Sequence, residues 1–172
     1  NSKFICKKVW KLQEQITAFS QLPLEEELTQ ILIACSDRRS NTTRNARITI
    51  CRLGFDGEGR HTLKFVQSEF AITRERVRQI SDEIIGKVRG RCIFAPVLRK
   101  AIAFISFHIP DRATEIEKRL ALTGLSRKGF QLEGLIEAAD ILGYEVPFRI
   151  IEKNSARLVV AASDKKVVGL LT

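Results

Sequence analysis

At 172 residues and 44% hydrophobic, the chain can bury one sizeable core or two small ones of ordinary globular type, and it holds no apolar run of the roughly 18 residues that a membrane-spanning helix needs. The 29 Lys and Arg against 20 Asp and Glu leave a net charge of +9, which favours a polyanionic partner such as nucleic acid over a neutral one. The opening residues lack the basic, apolar and small-residue succession of a signal peptide, so a cytoplasmic chain with no membrane attachment is expected; Asn1 at the start and no Met anywhere read as a piece of a longer protein.

In chain order, Phe4, Val9, Leu12, Ile16 and Phe19 keep helical spacing, and Pro23 opens a second helix, LEEELTQILIAC, whose three acids suit the positive end of its dipole. The polar stretch SDRRSNTTR interrupts before ARITICRLG, a short helix with Ile48, Cys51 and Leu53 as inward positions. FDGEGR reads as a turn, because Asp56-Gly57 and Gly59 tolerate backbone angles that other residues avoid.

HTLKFVQSEF follows, with Thr62 as N-cap and Leu63, Val66 and Phe70 on one helical face. Ala71 and Ile72 make a brief connection, Thr73 caps again, and Val77, Ile80, Ile84, Ile85 and Val88 form an apolar stripe down a further helix that ends near Gly90. Two helices across one tight turn are a helix-turn-helix pattern. Burying the stripe sends Arg74, Glu75, Arg78 and Gln79 outward, and these are residue types that read base edges: Arg forks onto guanine, Gln pairs with adenine, Glu accepts from the cytosine amino group. Arg76, Arg60, Lys64, Lys87, Arg89 and Arg91 are available for phosphates. The same pattern describes a solvated helix with intrahelical Arg-Glu pairs, and composition and periodicity leave both readings open.

Over about residues 25 to 91 the chain resembles the fourth conserved region of primary bacterial RNA polymerase sigma factors, which binds the promoter's −35 element. That region runs approximately R-x-G-L-D-G, a short gap, T-L-E-E-I-G-x-x-F-x-V-T-R-E-R-I-R-Q-I and then A-L-x-K-L-R; here stand RLGFDGEGRHTLKFVQSEFAITRERVRQI and then EIIGKVR. The resemblance implies a DNA-reading helix with Arg74, Glu75, Arg78 and Gln79 toward bases, Thr62, Thr73 and Arg76 on the phosphate backbone, and RNA polymerase as a candidate partner beside duplex DNA. The chain departs from the pattern at Lys64-Phe65 and Gln67, where the family has two acids and a glycine, and at Ser81 and Glu83. Nothing in it resembles the aromatic-rich second region of sigma factors, and it runs on past the usual end of the fourth, so a complete sigma factor is not expected.

The remainder predicts a helix started by Pro96, another opened by a capping-box spacing from Thr114 to Glu117 and closed by Gly124, and a third from about Gln131 through Leu132, Leu135, Ile136, Ala139 and Leu142 to Gly143. After Pro147, FRIIEKNSARLVVAA reads as two strands about a KNS turn, with KKVVGLL as a further strand. The expected architecture is mainly α: a helix-turn-helix domain over residues 1–92, then a winged-helix-like domain with a small β-hairpin over residues 93–172. The first holds 17 basic against 11 acidic residues, the second 12 against 9. The last helix exposes Gln131, Glu133, Glu137 and Asp140 without a Lys or Arg, so it should be repelled by phosphate and should pack on the first domain or bind protein. Only Arg127 and Lys128 ahead of that helix, with Lys153 and Arg157 on the wing, offer it a backbone contact.

No catalytic motif or nucleotide fingerprint is present, so no enzyme is expected, and no cofactor. Cys6, Cys35, Cys51 and Cys92 form no CxxC pair, and only His61 and His108 supply imidazoles; buried reduced thiols and surface or capping histidines are expected, and no metal site. The function expected is sequence-specific duplex DNA binding in transcription initiation or its regulation, by sigma-like promoter recognition through a major-groove helix. The alternative is a protein-interaction module, for polymerase or another partner, that touches DNA only non-specifically.

Overall fold

The computed structural model describes residues 16–36, 42–89, 91, 93–153 and 155–163. Beyond a helical stretch at residues 16–19, its elements are α1 (Leu24–Cys35), α2 (Thr42–Leu53), α3 (Leu63–Phe70), α4 (Arg74–Arg89), α5 (Pro96–Phe107), β1 (Asp111–Arg112), α6 (Ala113–Leu122), α7 (Leu132–Leu142), β2 (Phe148–Lys153) and β3 (Ala156–Ala161). The chain is therefore mainly helical with a small antiparallel sheet, as its patterning predicts. No described helix is long and apolar enough to cross a membrane.

The apolar stripes behave as their period requires. Val77, Ile80, Ile84 and Val88 of α4 are buried, and so is Val66 of α3. They meet Leu28 and Leu32 of α1 and Ile48 and Leu53 of α2 in one cluster that also takes in Leu98, Ile116 and Leu135 from the second half. The helix α2 starts at Thr42, earlier than the apolar residues suggest, because Thr42 to Asn45 add a solvated first turn. The helical spacing before Ile16, the KKVVGLL stretch, and Cys6, Gly90 and Cys92 lie outside the described residues.

The sheet order is β1-β3-β2. The hairpin pairs Phe148 with Ala161 and Lys153 with Ala156, and β1 lies on the other side of β3 with Asp111 opposite Val159. Two residues are too short to show a period, which is why β1 has no signature in the sequence. The helix α6 begins at Ala113, a residue before the expected cap, with Arg112 at the N-cap making no side-chain cap bond. Glu117 does not reach back to Thr114: its carboxylate accepts from the Leu132 N–H at 3.1 Å and from Arg157 at 2.6 Å, joining α6 to the start of α7 and to the hairpin.

The two halves meet along a polar seam. Glu27, on α1, is fully buried, and its two carboxylate oxygens accept from the Val97 and Leu98 N–H groups at 2.8 Å each. An acid of one helix thus supplies the N-terminal cap that α5, preceded by Ala95, lacks in its own sequence. Glu25 accepts from the Arg127 N–H at 3.0 Å, and the Leu24 N–H donates to the Leu125 carbonyl at 2.8 Å. At the start of α7 the Gln131 N–H donates to the Gly57 carbonyl at 3.2 Å. Gly134 lies so close to the turn before α3 that a Cβ there would stand 2.8 Å from the Gly54 carbonyl oxygen, so glycine is what lets α7 approach.

Candidate nucleic-acid interface

Two threonine caps and one strained residue set the direction of α4. The Thr62 hydroxyl accepts from the Phe65 N–H at 3.2 Å and starts α3; the Thr73 hydroxyl accepts from the Arg76 N–H at 3.2 Å and starts α4. Between them the chain reverses at Ala71, left-handed at φ 51° and ψ 49°, a conformation that favours glycine.

With the stripe buried, Arg74, Glu75, Arg76, Arg78 and Gln79 are all exposed. They are also joined to one another. Arg78 donates to both oxygens of Glu75, at 2.7 and 3.1 Å, and to Asp82 at 3.2 Å. Gln79 donates to Glu75 at 3.3 Å and accepts from Arg76 at 3.4 Å. The hydrogen bond from Arg78 holds the Glu75 carboxyl below its ordinary range, and the same bond raises Arg78. Arg74 turns the other way: its Nε donates at 3.1 Å to Gln67 of α3, which stands where the sigma pattern has glycine.

The phosphate candidates divide into two groups. Lys64, Arg76 and Arg91 are exposed on the first half, with no ion pair to the second among the described residues. Arg60 instead pairs with Glu137 at 3.2 Å and Arg89 with Asp140 at 2.8 Å, both acids of α7, while Lys87 pairs with Glu83 at 2.6 Å. The acid face of α7, which the sequence marks as hostile to phosphate, therefore answers two arginines of the basic half. Its third acid, Glu133, pairs with Arg157 of β3 at 2.9 Å.

Sequence spacing did not bring out a second constellation, next to the first. Cys51 on the last turn of α2, Asp56 in the following turn and His61 before the Thr62 cap place one ligand atom each within 4.8 Å of one another. His61 stacks on Phe65 with ring centroids 4.3 Å apart. Of the described cysteines Cys35 is buried, as expected, but Cys51 is only half-buried and lines an open recess. His108 closes α5, its Nδ1 2.7 Å from the Phe104 carbonyl oxygen, in the capping role expected of it.

The likeness to sigma factors extends beyond the quoted motif. The chain is similar to RNA polymerase sigma factors of the SigA type. It is 32% identical over 78 residues to the RNA polymerase sigma factor SigA of Lactococcus lactis subsp. cremoris and, at the same identity and length, to that of Lactococcus lactis subsp. lactis (strain IL1403). The match covers 45% of this chain and 20% and 19% of those two proteins, so the chain spans about a fifth of each relative's length. No family model matches, and no solved structure matches.

Proposed function

We infer that this chain binds duplex DNA in transcription and reads base edges through α4 in a major groove, in initiation or its regulation. The observation that carries the reading is that Arg74, Glu75, Arg78 and Gln79 stand exposed on a helix whose opposite face is buried, in a chain that resembles sigma factors. On binding, Arg78 exchanges Glu75 and Asp82 for the O6 and N7 of a guanine, and Gln79 turns to an adenine. Arg74, seated on Gln67, and Glu75 read the neighbouring pairs. Thr62 and Thr73 use their lone pairs in capping and keep a hydroxyl hydrogen for a phosphate oxygen. Arg76, Arg60, Lys64, Lys87, Arg89 and Arg91 supply the counter-charge.

On this reading the protein acts in the cytoplasm by binding rather than by catalysis, with RNA polymerase as its candidate protein partner. Residues 1–92 serve as the helix-turn-helix domain and residues 93–172 as a winged-helix-like domain that packs on it. Selection of the intact chain on random duplexes tests the reading: a recovered consensus with salt-sensitive affinity is expected, and equal affinity for every duplex would overturn it. One observation favours the alternative, a protein-interaction module with only non-specific DNA contact: the closed Glu75, Arg78 and Asp82 set needs no DNA to satisfy its charges.

A further inference from the structure

The turn that leads into α3 carries a donor set that the DNA-reading role does not use. Cys51, Asp56 and His61 come from a helix end, a turn and a cap-flanking position, and fold to within 4.8 Å of one another on the wall of a recess of about 340 Å³. Thiolate, carboxylate and imidazole are the donor types of a tetrahedral divalent site, in which ligand atoms sit roughly 3.5 Å apart. An inward shift of about 1 Å would close the set, and two of the three donors lie on the turn and loop between α2 and α3 rather than within a helix. Asp56 uses one carboxylate oxygen to accept from the Glu58 N–H at 3.1 Å and has the other to offer. His61 is held by its stack on Phe65 and by its carbonyl, which accepts from Arg52 at 3.1 Å.

The charges around the thiol separate two uses of such a trio. A nucleophilic cysteine needs surroundings that favour the thiolate. Here three carboxylates, Asp56, Glu58 and Glu69, line the recess with the thiol against one guanidinium, Arg47, a balance that disfavours a free thiolate and favours a bound cation.

We propose that Cys51, Asp56 and His61 bind one borderline-soft divalent cation of the zinc and cobalt class, with the fourth position open to water or to a carboxylate of Glu58 or Glu69. Binding exchanges the thiol proton for the metal, Cys51–SH plus M²⁺ giving Cys51–S–M⁺ and H⁺, while neutral His61 donates a lone pair, so affinity rises with pH. The ion would tie the last turn of α2 to the residue before the Thr62 cap and so fix the approach to α3. This holds whether or not α4 reads DNA.

Titration of the intact, reduced, chelator-treated chain with Co²⁺ tests the site. One saturating equivalent with a thiolate-to-cobalt charge-transfer band in the near ultraviolet is expected, together with a metal-dependent rise in Tm. Cys51→Ser should abolish the band, and His61→Gln and Asp56→Asn, which keep the thiolate, should weaken binding roughly tenfold or more. Absence of saturable binding by the wild-type chain would overturn the proposal. So would a band that survives Cys51→Ser, since it would belong to another cysteine.

Discussion

Helices α4 and α7 are alike in packing and opposite in charge. Each lays an apolar stripe on the common core, Val77, Ile80 and Ile84 in one and Leu132, Leu135 and Ala139 in the other, and each follows a turn after a shorter or equal helix. The outward face of α4 starts with Arg74, Glu75, Arg78 and Gln79; that of α7 carries Glu133, Glu137 and Asp140. The acids of α7 are matched to arginines elsewhere in the fold, at Arg60, Arg89 and Arg157, whereas the first turns of α4 are matched to residues of α4 itself and to Gln67. Equal stripes thus leave unequal faces: the acids of one answer arginines from elsewhere in the fold, while the charges of the other answer near neighbours and can exchange them for an external ligand at modest cost.

The largest effect expected along this comparison is at the seam itself. Glu27→Ala leaves two N–H groups of α5 buried without an acceptor and should lower stability by about 3 kcal/mol, read from the urea midpoint; a loss under ~1 kcal/mol would mean that α5 finds its cap elsewhere. Burial raises the Glu27 carboxyl above its ordinary 4.5, against the lowering effect of its two amide donors and Lys100. The folded chain therefore keeps that proton at a pH where the unfolded chain has lost it. The contribution of Glu27 to stability should decline as pH climbs from 4.5 through the raised value, and Glu27→Ala should lack that slope.

Next in size is the split within α4. Arg78→Ala or Gln79→Ala should relax preference at one or two base positions at a cost of about 1 to 3 kcal/mol, whereas Arg76→Ala should weaken every duplex and lower the salt slope by about one. Equal losses from all three on all sequences would make α4 another solvated face and erase its difference from α7.

The turn between α3 and α4 offers a gain. Ala71→Gly removes the side chain from a left-handed position and should stabilise the fold by about 1 kcal/mol in thermal unfolding; destabilisation would show that the Ala71 methyl contributes more than its backbone costs.

Smallest in stability is the α7 face. Glu137→Gln with Asp140→Asn should change stability by less than ~1 kcal/mol, since both pairs are exposed, yet should raise duplex affinity at low salt and steepen the salt slope by up to about two by releasing Arg60 and Arg89. Unchanged affinity would remove those two arginines from the phosphate set.

Much of the fold is legible along the chain because its signals are local. The stripe of α4, the caps at Thr62 and Thr73, Pro96 at the head of α5, Gly143 at the end of α7 and the pairing of β2 with β3 each depend on residues close to one another in sequence. The acids of LEEELTQILIAC show where this fails. Three glutamates in a first turn read as complements to their own helix dipole, but Glu27 caps α5 and Glu25 holds the Arg127 N–H. Those partners lie some 70 and 102 residues away in sequence, beyond the reach of any local pattern. The Cys51, Asp56 and His61 set is of an intermediate kind: the residues are near in sequence, but their spacing of five and five matches no paired-ligand motif, and only the bend at Gly54 and Gly57 brings them together.

The sequence by itself determined which faces are apolar, where most helices start and stop, and that TRERVRQI lies in a helix with its charges outward, because periodicity and capping are properties of neighbouring residues. Only the tertiary structure decided what each outward charge meets. Arg60 and Arg89 look equivalent to Lys64 and Arg91 as a string of basic residues, yet the fold places the first two against acids of α7. The reason is physical: burial energy is set by composition and period, whereas Coulomb and hydrogen-bond energies depend on separations of a few ångströms between groups that chain folding alone brings together.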